Sequence, residues 1–93
     1  MDEITLVSLV RRAEGFTTAQ VRDDLMMLQV EQGAYYSLDP IAAEIWRLLE
    51  QPGTVQQLVE KLVQHYTVSP EQCQADVLAF LEEMRRNGMI QTP

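Results

Sequence analysis

The 93-residue chain has one cysteine, one histidine, four glycines and half as many basic residues as acidic ones. Each scarcity excludes something. A lone Cys73 permits no intramolecular disulfide, which fits a reducing compartment. With His65 the only histidine, eight positions upstream and on a different predicted helix, a Cys–His nucleophile pair is not expected. The two also fall short of a zinc ligand set, and no acidic loop of calcium type is present. Four scattered glycines form no phosphate-cradling loop. Seven Lys and Arg against fourteen Asp and Glu give a net charge of −7, a poor basis for neutralising nucleic-acid phosphates. The pairs Arg11–Arg12 and Arg85–Arg86 are far apart in sequence. No apolar run approaches the ~20 residues that cross a bilayer. The opening MDEITLVSLVRRAEG is acidic at its start and its apolar block is short, unlike a secretory signal. A soluble, cytoplasmic, cofactor-free and non-catalytic protein is expected.

Apolar residues make up 46% of the sequence, enough for one compact core. Residues 1–93 therefore read as a single α+β domain. Its first part, 1–38, is an antiparallel β-meander of three to four short strands, and 39–93 is a three-helix bundle. The arrangement is winged-helix-like. Ile4 to Arg11 is β-branched and too short for a helix. Thr17–Val21, Leu25–Glu31 and Ala34–Leu38 follow as strands, with turns at Arg22-Asp23-Asp24 and Gln32-Gly33.

Asp39-Pro40 changes the period. Asp39 suits an N-cap and Pro40 the first helical position, where no donor is needed. Ile41, Ile45, Leu48 and Leu49 then share a face, with Trp46 beside it, before Pro52-Gly53 ends the helix. Thr54 caps a second helix with Gln57 closing a capping box, and Val55, Leu58, Val59, Leu62 and Val63 form its apolar stripe. Ser69, Pro70 and Gln72 repeat the pattern for a third helix, which runs to about Asn87. Gly88 supplies the left-handed residue after its end. On this helix Cys73, Val77, Phe80 and Met84 form one stripe, with Leu78 and Leu81 on a neighbouring face. Glu82 and Glu83 read as solvated.

Two binding readings follow from this outline. A winged-helix shape often binds DNA, but the third helix presents Glu71, Asp76, Glu82 and Glu83, with its basic residues only at the C-terminal end. A small meander also has open edges, and an edge strand is a template for an added strand.

The run from Gly33 to Ile90 resembles the PqqD-like family of RiPP precursor recognition elements. The matching pieces are GAYYSL, IWRLL, TVQQL, VSPE, DVLAFL and the closing NGMI. Within that family, YYSLDP and IW are most like the stand-alone leader-binding proteins of lasso-peptide biosynthesis; pyrroloquinoline quinone biosynthesis is the alternative. The resemblance implies that the leader of a ribosomally made precursor joins the last meander strand as an extra antiparallel strand, lying against the third helix. Main-chain groups of Ala34, Tyr35, Tyr36 and Ser37, including the Tyr36 donor, would pair with it. Val77, Phe80 and Met84, with Cys73 above, would line an apolar wall. Asp76 would orient a polar or basic leader group, or serve only as a first-turn acid on the helix dipole. Implied partners are a transglutaminase-like leader peptidase and a cyclase, or a radical SAM enzyme. The protein itself would be a monomer or a strand-exchanged dimer.

Overall fold

A computed structural model describes residues 3–93. Its strands are β1 (Leu9–Arg12), β2 (Phe16–Val21), β3 (Asp24–Gln29), β4 (Ala34–Leu38), β5 (Gly53–Thr54) and β6 (Ile90–Gln91). The helices are α1 (Pro40–Leu48), α2 (Val55–His65) and α3 (Pro70–Arg86). The strands form two antiparallel sheets of three, ordered β5-β1-β6 and β2-β3-β4. The α+β class and the three helices are as expected.

The first strand is shorter than its sequence suggests, and it leaves the meander. Thr5 to Ser8 close a turn, with the Ser8 amide donating to the Thr5 carbonyl at 3.1 Å and the Thr5 amide to Ser8 Oγ at 2.9 Å. Only Leu9–Arg12 remain extended. They pair with Gly53–Thr54 on one side and Ile90–Gln91 on the other, two strands too short to show a period in sequence. The carbonyls of Leu6 and Ser8 accept from the amides of Gln56 and Val55, satisfying two donors that the start of α2 leaves free.

Helix boundaries follow their local chemistry. Asp39 Oδ1 accepts from the Ala42 amide at 2.8 Å, and Pro40 opens α1. Thr54 and Gln57 exchange the reciprocal bonds of a capping box. At α3 the box is only half formed. Ser69 Oγ accepts from the Gln72 amide, but the Gln72 side chain reaches forward to Asp76 instead of back to Ser69. Asp76 lies beyond the first turn, where Glu71 is the acid, so it is not the first-turn acid read from sequence. At the far end Gly88 has φ +72°. Its amide donates to Arg85 and that of Met89 to Met84, the paired bonds of a Schellman motif. The motif folds buried Met89 and Ile90 back onto the core.

That core is continuous through Val10, Met27, Ile45, Leu49, Val55, Leu62, Val77 and Leu81, all essentially inaccessible to solvent. The inward face of α1 is centred on Ala42, Ile45, Trp46 and Leu49, with Ile41 and Leu48 half-buried at its flanks. Trp46 thus belongs to the buried face, not beside it. In β3 the core residue is Met27. Leu28 is on the opposite face, and Val30, past the end of the strand, is exposed, so the period-two spacing of Leu28 and Val30 does not mark the core side. The turn before β3 is Arg22-Asp23 alone, since Asp24 already pairs with Val21.

Candidate groove beside an open strand edge

In the order β2-β3-β4, the last strand has a neighbour on one side only. The register shows which of its main-chain groups are free. Val21 and Asp24 flank a two-residue turn, so they are a hydrogen-bonded pair. Alternation then directs Asp24, Met26 and Leu28 towards β2, and Leu25, Met27 and Gln29 towards β4. Their partners Leu38, Tyr36 and Ala34 bond inward. Tyr35 and Ser37 are left to direct N–H and C=O outward. Of the four residues expected to offer main-chain groups, two do so. The Tyr36 donor faces β3, contrary to the expectation from sequence.

Across from this edge is α3. Between them runs a groove of about 310 Å³. Tyr36, Ser37, Leu38, Asp39 and Ala42 form one side; Phe80, Glu83, Met84 and Asn87 form the other, with Met89 at the end. A second recess, lined by Asp76, Ala79, Phe80 and Glu83, continues the track along α3. A third, by Cys73, Asp76 and Val77, reaches under Ile41 and Tyr66. Asp76, Phe80, Glu83 and Asn87 recur at +4, +7 and +11, so a single helical face carries the whole track.

The residues singled out from sequence divide accordingly. Tyr36, Ser37, Phe80 and Met84 meet in the first recess, and Cys73, Asp76 and Val77 in the third. Val77 and Met84 are buried (1% and 4% exposed), so they are floor and core more than wall. Phe80 is half-buried, packed against the core and lining the groove. Tyr35 and Ala34 line none of these three recesses. The Tyr35 side chain is 70% exposed on the outer face, and Ala34 sits at the hairpin end opposite Gln29.

Glu83, Asn87, Leu38, Asp39, Ala42 and Met89 were not anticipated. For Glu83 and Asn87 the signal was available, as continuations of the Asp76–Phe80 spacing. Asp39 and Ala42 were legible only as a helix start.

Every ionisable side chain lining these recesses, apart from the Tyr36 and Tyr66 phenols and the Cys73 thiol, is acidic: Asp39, Asp76 and Glu83. A helix presenting this face would repel a phosphate backbone. Glu82 is not a solvated partner of Glu83. It takes a two-oxygen contact from Arg85 Nη2 at 2.9 and 3.0 Å and accepts from the Ile4 amide, tying the N-terminal segment to α3. Burial, with a smaller push from Asp76, raises the Cys73 thiol above its ordinary pKa. This environment disfavours the thiolate a nucleophile needs. Exposed His65 ends α2.

Arg11 and Arg12 do not make a free basic pair. The Arg12 guanidinium stacks over Trp46 at 4.5 Å, and its Nε and Nη2 donate to the Trp46 carbonyl. No helix among the described residues is long and apolar enough to cross a membrane, and no cluster of three or more metal-ligating side chains occurs among them.

Three solved structures share the architecture. One is described as TbiB1 in complex with the TbiA(beta) leader peptide, with TM-score 0.78 and 22% identity, covering 87% of this chain and 94% of that one. A lasso peptide synthetase B1 complexed with the leader peptide matches at TM-score 0.76 and 25% identity, over 88% and 96%. The PqqD truncation of Methylobacterium extorquens PqqCD, described as a stand-alone RiPP recognition element, matches at 0.78 and 23%, over 95% and 94%. No curated protein sequence gives a significant match. The family model for coenzyme PQQ synthesis protein D matches residues 24–90, from the start of β3 to the first residue of β6, and the chain belongs to that PqqD family.

Proposed function

We propose that the protein binds the leader segment of a ribosomally synthesised precursor peptide and presents it to processing enzymes. The leader adds as a strand to the edge of β4. The observation that carries this reading is the open β4 edge, where Tyr35 and Ser37 direct main-chain groups outward and Ser37 lines an apolar-floored groove beside α3. An extended peptide gains main-chain bonds from the edge, while alternate side chains reach Phe80 and the recesses beyond it. The site holds and orients; the protein is not a catalyst in this reading. The likeness to a lasso peptide synthetase B1 held in complex with its leader peptide supports a leader peptidase and cyclase as the recipients. The family description supports a second reading, delivery to a radical SAM enzyme in quinone synthesis.

Amide hydrogen exchange tests the site directly. Adding the cognate precursor leader is expected to slow exchange at Tyr35 and Ser37. Binding that leaves both amides unprotected overturns strand addition at β4. Comparing a lasso precursor leader with a quinone precursor leader separates the two pathways.

A further inference from the structure

The β2-β3-β4 sheet has a second open edge, on β2, and among the described residues no strand other than β3 pairs with it. Natural edge strands are usually blunted by lysine, proline, a bulge or shortness. Phe16–Val21 is six residues long, contains no charge and no proline, and is exposed from Thr17 through Val21. Because Thr17, Ala19 and Val21 bond to β3, the outward main-chain groups belong to Phe16, Thr18 and Gln20.

We propose that two copies of the chain join antiparallel through their β2 edges, centred on Thr18, into one six-stranded sheet. In that register Thr18 meets its own copy and Phe16 meets Gln20 of the other, so every outward group of both strands is paired. A shift of two residues in either direction leaves one outward residue of each strand unmatched. Just beyond the strand ends, the same register brings the bend residue Glu14 near the turn residue Arg22 of the second copy, at both ends. Both are exposed, and neither is in an ion pair among the described residues. Exposed ion pairs add little affinity, so these select the register while main-chain bonds hold the edge. The β4 edges and their grooves remain open at the two ends of the sheet, and a dimer carries two independent peptide sites.

Sedimentation velocity on the full chain across a concentration series is expected to show a monomer–dimer equilibrium. Thr18→Lys sets like charges face to face on the two-fold axis, and Thr18→Pro removes the central donors; each should abolish the dimer. Thr18→Lys keeps the backbone amide, so it serves should the proline variant misfold, and far-UV circular dichroism reports which variants are folded. Arg22→Glu should weaken the dimer, and adding Glu14→Arg should restore it. Leader affinity should be unchanged in Thr18→Lys, a result independent of the β4 site. A chain that stays monomeric at every concentration, or a dimer that survives Thr18→Lys, overturns the proposal. So does a dimer lost on Ser37→Pro, which would place the contact on β4. An Arg22→Glu variant that dimerises like the parent removes the Thr18-centred register.

Discussion

Tyr36 of β4 stands directly opposite Met27, a fully buried residue of β3. The two exchange main-chain bonds, so the Tyr36 amide belongs to the sheet and not to a ligand. Its neighbours on either side have the opposite allegiance.

Proline substitution along β4 is therefore expected to alternate in effect. Ser37→Pro removes an outward donor and places a ring where the leader backbone would run, at an edge position that tolerates proline. It should abolish leader binding in a fluorescence polarisation titration, with the urea midpoint little changed. Tyr36→Pro removes an inward bond beside the core and should cost about 1–3 kcal/mol of stability. If Tyr36→Pro stays fully stable and only Ser37→Pro unfolds, the register assigned to this edge is wrong.

Adjacent residues on α3 should separate in the same way. Phe80 is half-buried at the groove, whereas Leu81 is fully buried among the helices. Phe80→Ala is expected to weaken leader binding by about 1–3 kcal/mol, as an anchor in an interface does. Leu81→Ala should cost about 2–5 kcal/mol in unfolding free energy, through lost burial and the cavity left behind. Parallel titrations and denaturant melts on both variants check the split.

Local chemistry made the helices legible in sequence. Asp39-Pro40, Thr54 with Gln57, Ser69-Pro70 and Gly88 each satisfy orphan groups within a few residues of themselves. The failures share a different cause. The side chain of Gln72 had two partners within reach, the Ser69 amide and the Asp76 carboxylate, and spacing does not decide between them. Leu9–Arg12 is a strand because Gly53–Thr54 and Ile90–Gln91 lie beside it, contacts over forty or more positions of sequence that no local pattern encodes. The inward turn of the Tyr36 amide follows from the two-residue length of the Arg22-Asp23 turn, which the sequence left as three. In the groove, the α3 face was readable from period alone, while Leu38, Asp39 and Ala42 became part of it only when α1 folded back beside α3.

The Arg12–Trp46 contact should matter more than a surface arginine usually does. The guanidinium has both a ring face and a carbonyl as partners, and Phe16 meets the same indole edge-on at 6.3 Å between centroids. Loss of charged hydrogen bonds and of a cation–π contact predicts a destabilisation of about 2 kcal/mol for Arg12→Ala. Arg12→Lys should recover only part of it, because an ammonium cannot stack and fork at once. Arg11, whose exposed guanidinium donates to the Gln91 side chain, is the control; Arg11→Ala should leave the urea midpoint nearly unchanged.

The buried thiol gives a pH signature. Burial first, and the Asp76 carboxylate second, raise the Cys73 pKa in the folded state. Thiolate is the charged form, so at neutral pH the folded protein holds Cys73 as the thiol. Reaction with a disulfide reagent should be slow until urea exposes it. In the unfolded chain the thiol titrates near its ordinary value of about 8.5. The unfolded state then binds fewer protons than the native state above that pH, and stability falls as pH rises. This contribution is fully present below the unfolded pKa and is lost on rising through the folded one. Cys73→Val keeps an apolar side chain of similar size and cannot ionise, so it should flatten the alkaline limb of the stability curve. Asp76→Asn, which removes the smaller cause, should shift that limb without abolishing it. An alkaline limb identical in the parent and Cys73→Val would assign the titration to another group.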